Sequence, residues 1–398
     1  MRERIKRLMP KPLIELYKGI RYGFITVFFY LFRIFPIRKN RIVLMNVWGF
    51  GDNVKYVTEE LISRKKPYEL IFICNHPENV TISKSVKVKK TNTLSAIYAL
   101  ATAKLWVECN RKEGYIKKRK NQYYIQLWHG GFALKKIEGD CEDYLGETYI
   151  KRAKKDSLMT DLYVSNSTYC TKMYRRAFWF TGEIAEWGSP RMDCMLSTNE
   201  NIKNKIKSNL GIDKTKKIVL YAPTYRSSDD LSVYELHYDA LCRELSKRFG
   251  GEFVAIERLH PLVREQSTQL KKLGNRIDAS SYKDMYELML IADVLITDYS
   301  NTMFEFALMN RPVFLYAKDY KNYKEERGFY FDFPTLPFPI AYTEGELMDK
   351  IRHYEDSEQA VVKRFLAELE VKETGRASIK VADRIDQVIK RDKSKKYM

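Results

Sequence analysis

The chain has 398 residues, enough for two domains of ordinary size, and 45% of them are hydrophobic, enough to form buried cores. It carries 70 Lys and Arg residues against 51 Asp and Glu, and the resulting net charge of +19 indicates an anionic partner. The cations are spread along the chain and no RNA-binding or zinc-finger signature occurs, so nucleic acid is not the expected partner. An anionic lipid surface or a phosphorylated substrate fits the charge better.

The cysteines argue against two further classes of protein. The chain has six, far apart and without a CxxC pair: Cys74, Cys109, Cys141, Cys170, Cys194 and Cys242. This spacing argues against a disulfide framework and against a structural zinc site, so no metal is expected. A reduced, cytosolic setting is the expectation that follows.

Residues 1–40 are predicted to form a basic, amphipathic segment that lies on a membrane surface. An apolar, aromatic-rich run over 23–35 contains Arg33 and has clusters of Lys and Arg on both sides. A spanning helix needs about 20 apolar residues, and a signal peptide needs a cleavage site of small residues, which is absent here. A helix in the headgroup region of an anionic membrane fits these features. The alternative is a helix packed on the protein's own core.

After Pro36 the pattern becomes α/β. In chain order, strands are predicted at 41–47, 68–74, 105–107, 123–127 and 161–165. Helices alternate with them at 54–62, 93–102 and 169–178, and a basic helix is predicted to begin at 151. This alternation predicts a parallel sheet with helices on both faces, in a domain over 41–205.

A polar stretch rich in Lys and Asn, over 198–217, is predicted to be a helix and a linker. The alternation then starts again, with strands at 218–221, 253–256, 294–297 and 313–316 and charged helices from 344 onward. The second domain is predicted over 206–398. The expected fold class is α/β, with two Rossmann-like parallel-sheet domains that face each other across a cleft.

The segment Gln126-Leu-Trp-His-Gly-Gly131 is the first candidate for chemistry. His129 follows a predicted strand, at the edge where open α/β sheets bind their ligands. Gly130 and Gly131 allow a sharp turn and a close backbone approach to a ligand. Histidine titrates near neutral pH, as a proton-transfer step requires. The alternative is a histidine that only stabilises a glycine-rich turn.

Two strand ends in the second domain carry cations. Pro223, Thr224 and Arg226 follow the strand at 218–221, and Arg226 is suited to bidentate contacts with phosphate. Arg258 and His260 end the next strand in the same way. A proline turn with surface side chains is the alternative at both places.

A third strand end precedes a predicted helix that begins near Ser300. Backbone N–H groups and the hydroxyls of Ser300 and Thr302, with Asn301 between them, indicate an anion site for a pyrophosphate. Glu305, about one turn further, is expected to reach ribose hydroxyls, unless it only caps the helix. Arg191, near the domain junction, is expected to clamp a phosphate, unless it lies in a surface turn.

With these motifs in this order, the chain resembles the CDP-glycerol glycerophosphotransferase family, the teichoic-acid primases and polymerases. The segments that carry the resemblance are 128–130 with 134–137, 188–193, 221–226, 258–261, 297–300 and 327–332. The match covers about 40–333. The resemblance implies a GT-B-like fold with an acceptor domain first and a nucleotide domain second. The expected location, from the basic segment 1–40 and the reduced cysteines, is peripheral, on the cytoplasmic face of the membrane.

The resemblance implies transfer of a polyol phosphate from a CDP-activated donor to a hydroxyl acceptor, with release of CMP and no cofactor. The acceptor would be lipid-linked or a polymer, in teichoic acid or capsule synthesis. The implied general base is His129, with His260 and Arg258 as further catalytic residues. The residues implied or expected to bind the donor are Gly130, Gly131, Arg191, Pro223, Thr224, Arg226, Ser300, Asn301, Thr302 and Glu305.

Three alternatives stay open at this point. The family usually has Thr-Pro where this chain has Gly131-Phe132, and two serines and an Asp where it has Ser300-Asn301 and Glu305. Ribitol or another CDP-linked group therefore stays an alternative to glycerol. A GT-B glycosyltransferase that uses a nucleotide sugar and a non-catalytic membrane-surface scaffold are the other two. Homo-oligomerisation is also left open.

Overall fold

The computed structural model describes residues 11–196, 199–226, 230–260, 263, 274–323 and 328–394. The basic residues before position 11 and two residues of the motifs, Pro261 and Arg327, lie outside these ranges. Within them, two parallel sheets of seven and six strands form the framework of the molecule.

The first sheet contains seven strands in the order β3-β2-β1-β4-β5-β6-β7. They are β1 (Arg38–Met45), β2 (Glu69–Cys74), β3 (Val86–Lys90), β4 (Ala103–Glu108), β5 (Tyr123–Gln126), β6 (Leu162–Ser165) and β7 (Glu183–Glu186). The central strands are apolar on both faces because helices cover the sheet from both sides, and β4 is buried along its whole length. The order changes direction between β1 and β4, so their carboxyl ends border a crevice.

Six helices lie in the described part of this half, from residue 11 onward. They are α1 (Lys11–Leu31), α2 (Asp52–Ser63), α3 (Leu94–Thr102), α4 (Glu147–Met159), α5 (Thr168–Ala177) and α6 (Met192–Met195). Side-chain caps explain where two of them begin. Thr93 accepts a hydrogen bond from the Ala96 N–H at the start of α3, and Ser167 accepts one from the Cys170 N–H at the start of α5.

The second sheet has the order β10-β9-β8-β11-β12-β13, the same topology as six strands of the first. Its strands are β8 (Lys217–Tyr221), β9 (Phe253–Glu257), β10 (Ile277–Asp278), β11 (Val294–Thr297), β12 (Val313–Tyr316) and β13 (Ile340–Ala341). The helices of this half are α7 (Glu200–Asn209), α8 (Tyr238–Phe249), α9 (Met285–Ile291), α10 (Thr302–Ala307), α11 (Tyr320–Tyr323), α12 (Glu344–Arg352), α13 (Asp356–Glu368) and α14 (Ala377–Ser394).

The two halves share buried side chains. The rings of Phe132 and Phe304 belong to one apolar cluster, with centroids 5.6 Å apart. Helix α14 returns to the first sheet, where Val381 and Ile385 lie in its core and Asp386 pairs with Arg64 at 2.8 Å. The last helix of the predicted segment 206–398 thus packs on the first half, while the three-part division stays a prediction.

The predicted α/β class with two parallel sheets is confirmed, and so are the nine predicted strands, to within a few residues. Strands β3, β7, β10 and β13 were not predicted. β3 and β7 are edge strands. β3 alternates valine with lysine, β7 has a glutamate at each end, and β10 and β13 have two residues each. Sequences this short and polar do not show the continuous apolar run of a buried strand.

Helix α1 has two different faces. Ile25 and Phe29 are buried in the same cluster as Ile97 of α3, as the core-packing alternative expects. The other sides of the helix carry large apolar side chains that are 42–78% exposed: Leu13, Leu16, Tyr17, Ile20, Phe24, Val27, Tyr30, Leu31 and, just after the helix, Ile34 and Phe35. Tyr22 lies on the packed side, where its ring contacts Tyr115. In the described part of the chain, no helix combines the length and the apolarity needed to cross a bilayer.

Candidate active site

A cleft of about 720 Å³ lies between the carboxyl ends of the two sheets. It brings together four of the residues predicted from sequence: His129 and Arg191 from the first half, and Arg258 and His260 from the second. His129 follows β5, Arg258 and His260 follow β9, and Arg191 precedes α6. The parallel topology brings these two strand ends and one helix start to one place.

His129 is held in one tautomer. Its Nδ1 lies 3.2 Å from the carbonyl oxygen of Cys109, which can only accept a hydrogen bond. This contact places the proton on Nδ1 and leaves the lone pair on Nε2. The ring is open to the cleft, yet the cleft walls surround it, and this desolvation lowers the pKa of His129 although Asp52 opposes the effect. The imidazole is therefore neutral at pH 7 and can accept a proton.

The loop that carries His129 is fixed by its neighbours. The side chain of Asn53 donates to the carbonyl oxygens of Leu127 (3.3 Å) and Trp128 (2.9 Å). Trp128 has a φ of 53°, in the left-handed region, so the chain turns sharply just before the histidine. The hydroxyl of Tyr174 donates to the carbonyl of Gly130 at 2.7 Å. The histidine thus sits on a rigid turn, as positioned catalysis requires.

Gly131 is buried and tightly surrounded. A Cβ atom at this position would lie 2.6 Å from Nδ2 of Asn166 and 3.3 Å from Oε1 of Glu305. A side chain here would have to displace Asn166, which is itself 1% exposed. The turn in this chain is therefore built for glycine.

Arg191 ties the His129 loop to the second half of the chain. Its guanidinium donates to the carbonyl of His129 (2.7 Å), to Asp52 (2.8 Å) and to Glu305. Tyr286 also donates to Glu305, at 2.8 Å. Glu305, predicted to contact ribose, is 1% exposed in this ion pair, and Arg191 is 3% exposed. Two carboxylates neutralise Arg191, although it borders the cleft.

Arg258 is a cation of a different kind. One Nη donates to the carbonyl of Tyr282 at 3.1 Å, and its buried Nε has no hydrogen-bond partner. Among the described residues, no carboxylate lies within ion-pair distance of it. Desolvation lowers the pKa of the Arg258 guanidinium, with Asp284 acting weakly in the opposite direction. Arg258 is partly buried, and a desolvated positive charge with no carboxylate partner among the described residues favours an anionic ligand beside it.

His260 lies beside Arg258 at the cleft. Its ring is 5.4 Å from that of Tyr225, and partial burial and then the charge of Arg258 lower its pKa. A neutral imidazole in this position can hydrogen-bond a phosphate oxygen.

Arg226 is turned away from the cleft. Its guanidinium donates to Asp298 at 2.7 Å and to Asp319 at 2.6 Å, and it is 7% exposed. It also donates to the hydroxyl of Thr224, whose N–H donates to Asp298. Pro223 is buried in the same turn. These residues stabilise the end of β8, and the structure does not place them in the lining of the cleft.

The predicted pyrophosphate turn at Ser300 also contacts the first half. Oδ1 of Asn301 accepts the N–H of Leu134 at 2.9 Å, across the domain junction. Ser300 accepts hydrogen bonds from the N–H (3.3 Å) and the hydroxyl (2.9 Å) of Thr302, where α10 begins. Their predicted role in donor binding stays a prediction.

Sequence reasoning missed three features of the site. Asp52, in the left-handed region at φ 57°, faces His129 and Arg191. Lys55 forms ion pairs with Asp284 (2.5 Å) and Glu287 (2.8 Å) across the junction. Trp48 stands exposed at the mouth of the cleft. The one available signal was the glycine-rich loop 49–51 at the end of β1, another strand end.

The described residues contain no group of three or more His, Cys, Asp or Glu side chains arranged to hold a metal ion. Two Rossmann-like sheets across a cleft, with a neutral histidine and a cation that lacks a counter-ion among the described residues, are typical of a transferase of the GT-B type.

Comparison with known proteins gives the family. Residues 27–387 match the family model "CDP-Glycerol:Poly(glycerophosphate) glycerophosphotransferase", and the chain belongs to this family. It is thus an enzyme, a teichoic-acid polyol-phosphate transferase. The finer identity of the polyol does not follow from this match.

Three relatives illustrate the similarity. A teichoic acid poly(glycerol phosphate) polymerase of Bacillus spizizenii is 29% identical over 95% of this chain and 100% of its own length. A poly(ribitol-phosphate) polymerase of the same species is also 29% identical, over 89% of this chain and 57% of its own. A variant of the wall teichoic acid polymerase TagF soaked with CDPG superposes with a TM-score of 0.81 at 27% identity, over 96% and 97% of the two chains. The chain spans about half the length of two other poly(glycerol phosphate) polymerases.

Proposed function

We propose that this protein transfers a polyol phosphate, with glycerol phosphate the first choice, from a CDP-linked donor to a hydroxyl group of an acceptor, and releases CMP. The observation that carries the proposal is the presence in one cleft of two groups. His129 is neutral with a fixed tautomer, and Arg258 is a desolvated cation that has no carboxylate partner in the part of the chain that the structure describes. A base and an anion site are the two parts that a phosphoryl-type transfer needs.

In the proposed step, the acceptor hydroxyl lies at Nε2 of His129. As its oxygen bonds to the β-phosphorus of the donor, its proton passes to Nε2. The bond between the β-phosphorus and the bridging oxygen breaks, and CMP leaves with the electron pair. Arg258 and His260 face the anionic leaving group, while Arg191 holds the backbone of His129. Such a transfer depends mainly on positioning and charge stabilisation.

Glycerol is the first choice because of how much of each relative is matched. The glycerol and ribitol polymerases of Bacillus spizizenii are both 29% identical to this chain, but the match covers 100% of the glycerol enzyme and 57% of the ribitol enzyme. Release of CMP from CDP-glycerol and from CDP-ribitol, measured side by side, decides between the two polyols.

The test of the reaction is CMP release by the His129→Ala variant. We expect loss of roughly 10²–10⁴-fold in rate, the usual contribution of a general base. His353→Ala, an exposed histidine on α12's end, is the matched control and should keep full activity. Full CMP release by His129→Ala would refute the assigned base. A product that keeps the sugar but not the phosphate would indicate the glycosyltransferase, and binding without turnover by the wild type would indicate the scaffold.

We also propose that the protein lies peripherally on the cytoplasmic face of the membrane, where a lipid-linked or polymer acceptor would reach the cleft. The exposed face of α1 supports this, because Ile20, Phe24 and Val27 are 65%, 52% and 57% exposed on one side of the helix. Such a stripe next to Arg and Lys residues suits the headgroup region of anionic lipid.

Vesicle sedimentation tests this placement. The wild type should bind vesicles that contain about 30% phosphatidylglycerol more strongly than neutral ones, since each basic residue near an anionic surface adds roughly 1 kcal/mol. The double variant Ile20→Glu/Phe24→Glu should lose that binding. Leu158→Glu, at a position 86% exposed on α4, is the control for adding charge elsewhere. Equal loss in both variants would contradict a specific role for α1.

A further inference from the structure

Trp48 is unusual among the large apolar residues of this protein. It is 81% exposed and lines the same cleft as His129. A single exposed apolar residue elsewhere needs no explanation, but an indole at the mouth of a substrate cleft offers a large, rigid contact surface.

The loop that carries Trp48 is fixed before any ligand arrives. The N–H of Trp48 donates to Oδ1 of Asn46 at 3.2 Å, and Nδ2 of Asn46 donates to the carbonyl of Gly51 at 3.1 Å. The N–H of Val47 donates to Asn110 at 3.2 Å, and Phe50 packs edge-on against Phe72 at 5.3 Å. Contact with Trp48 therefore requires little additional ordering of the backbone, which favours binding.

The lip of the cleft around Trp48 combines hydrogen-bonding groups with two partly buried apolar side chains, Phe50 and Val80. The neighbouring loop places His76, Asn79 and Thr81, all exposed, along the same side of the cleft. His76 is paired with Glu78 at 3.1 Å. The cations Arg258 and Lys283 line the cleft from the other half of the chain. The cleft thus has one wall suited to phosphate and one lip with an aromatic ring among hydrogen-bonding groups.

We propose that Trp48 is a stacking platform for a sugar ring of the acceptor, and thus a specificity-determining residue for acceptors that contain a pyranose. A pyranose has an apolar C–H face, which fits the indole, and a rim of hydroxyls, which fits His76, Asn79 and Thr81. A lipid chain would make no hydrogen bonds to these three side chains, and Arg258 draws the donor's phosphates to the opposite wall. This proposal rests on the proposed function, because it concerns the acceptor of that reaction.

The test compares two synthetic acceptors on the same alkyl chain, with the full-length protein. One is a disaccharide that ends in a single glycerol phosphate, and the other is a sugar-free oligomer of glycerol phosphate. In Trp48→Ala we expect KM for the disaccharide acceptor to rise roughly tenfold, as loss of a stacking contact does. KM for the sugar-free acceptor, KM for the donor and kcat should stay unchanged. In Trp48→Phe, KM for the disaccharide acceptor should return most of the way to the wild-type value. Tyr144 is an aromatic residue outside the cleft that is 62% exposed, and Tyr144→Ala should behave like the wild type.

Fluorescence provides a readout without turnover. The emission of the wild type minus that of Trp48→Phe should shift to the blue when the disaccharide acceptor is added, and CDP alone should not shift it. Equal rises of KM for both acceptors, a rise of KM for the donor, or loss of vesicle binding without acceptor selectivity would each overturn the proposal. If the wild type released no CMP from any CDP-polyol, the proposed function would fail, while the fluorescence shift would still report sugar binding at Trp48.

Discussion

Two arginines at the ends of neighbouring parallel strands show how differently this protein uses the same side chain. Arg226, after β8, is held by Asp298 and Asp319, whereas Arg258, after β9, has no carboxylate partner in the described part of the chain. Nearby aspartates raise the pKa of Arg226, and desolvation lowers that of Arg258. The first arginine stabilises the fold, and the second is ready for an anion.

The contrast is a guide to the rest of the site. Arg191 borders the cleft, but Asp52 and Glu305 neutralise it, so it resembles Arg226 in charge and serves to join the two halves. Being near the cleft is therefore not sufficient for binding phosphate, and the charge balance around each cation decides its role. The predictions below test this distinction.

The largest effect is expected for the stability of Arg226→Ala. Removing this guanidinium leaves Asp298, 2% exposed, and Asp319 without their cation, and breaking a buried ion pair in this way costs about 3–5 kcal/mol. Denaturant unfolding followed by tryptophan fluorescence measures it. Arg226→Lys keeps the charge but loses the bidentate geometry, so its free energy of unfolding should lie between those of the wild type and Arg226→Ala. Wild-type stability of Arg226→Ala would show that the ion pairs are not structural.

Arg258→Ala should lower the activity and leave the stability of the fold intact, the opposite of what we expect for Arg226→Ala. We expect kcat for CMP release to fall by roughly 10²–10³-fold, the usual cost of removing one charge-stabilising donor. The free energy of unfolding should stay the same or increase, because the variant no longer buries a cation without a counter-ion. Arg258→Lys, which keeps the charge, should recover part of the rate. A large loss of stability with normal turnover in the folded fraction would reverse the assignment of the two arginines.

Ligand protection sharpens the same comparison. A ligand that binds only the folded state adds about 2.7 kcal/mol at a concentration 100 times its Kd, so CDP should raise the Tm of the wild type. Arg258→Ala should lose most of this increase, whereas Arg226→Lys should keep it from its own lower baseline. Equal protection of both variants by CDP would mean that Arg258 does not contact the nucleotide's phosphates.

The sequence predicted the fold and placed both arginines at strand ends, but it did not predict the difference between them. The alternation of apolar strands and amphipathic helices was sufficient for two parallel sheets, and a parallel sheet places strand ends together, so His129, Arg258 and His260 could be found as candidates. Arg226 and Arg258 looked alike in the sequence, because both follow an apolar strand. Their difference depends on aspartates 72 and 93 residues away from Arg226.

Glu305 illustrates the same limit. Its place one turn into a predicted helix suggested a ribose contact or a cap, but its partner is Arg191, which is 114 residues away in the chain. Ion pairs between residues so far apart in the chain depend on how the two halves pack together, and a local sequence pattern does not predict that packing. The resemblance to a family supplied the order of the motifs but not which charges cancel each other.

The smallest expected effect concerns the pH dependence of the rate. His129 must be neutral to accept a proton, so the rate should fall as pH decreases through its pKa, which desolvation by the cleft walls lowers. Asp52 neutralises Arg191, as Asp298 neutralises Arg226, and its charge also opposes this depression of the His129 pKa. Asp52→Asn should therefore move the acid limb to lower pH, by about one unit or less.

The pH–rate profile of CMP release between pH 4.5 and 8.5 measures this shift, with Glu59→Gln on the same helix as control, since Glu59 lies outside the lining of the cleft. A limb that moves to higher pH in Asp52→Asn would mean that the titrating group is not His129. An unmoved limb together with a lower plateau would mean that Asp52 acts only by positioning Arg191. We expect the acid limb to move to lower pH while the plateau rate is largely kept, because the asparagine still accepts a hydrogen bond from Arg191. This result would separate the effect of the Asp52 charge from that of its hydrogen bond. It would thereby show that one carboxylate both neutralises Arg191 and raises the pKa of the proposed base against the effect of desolvation.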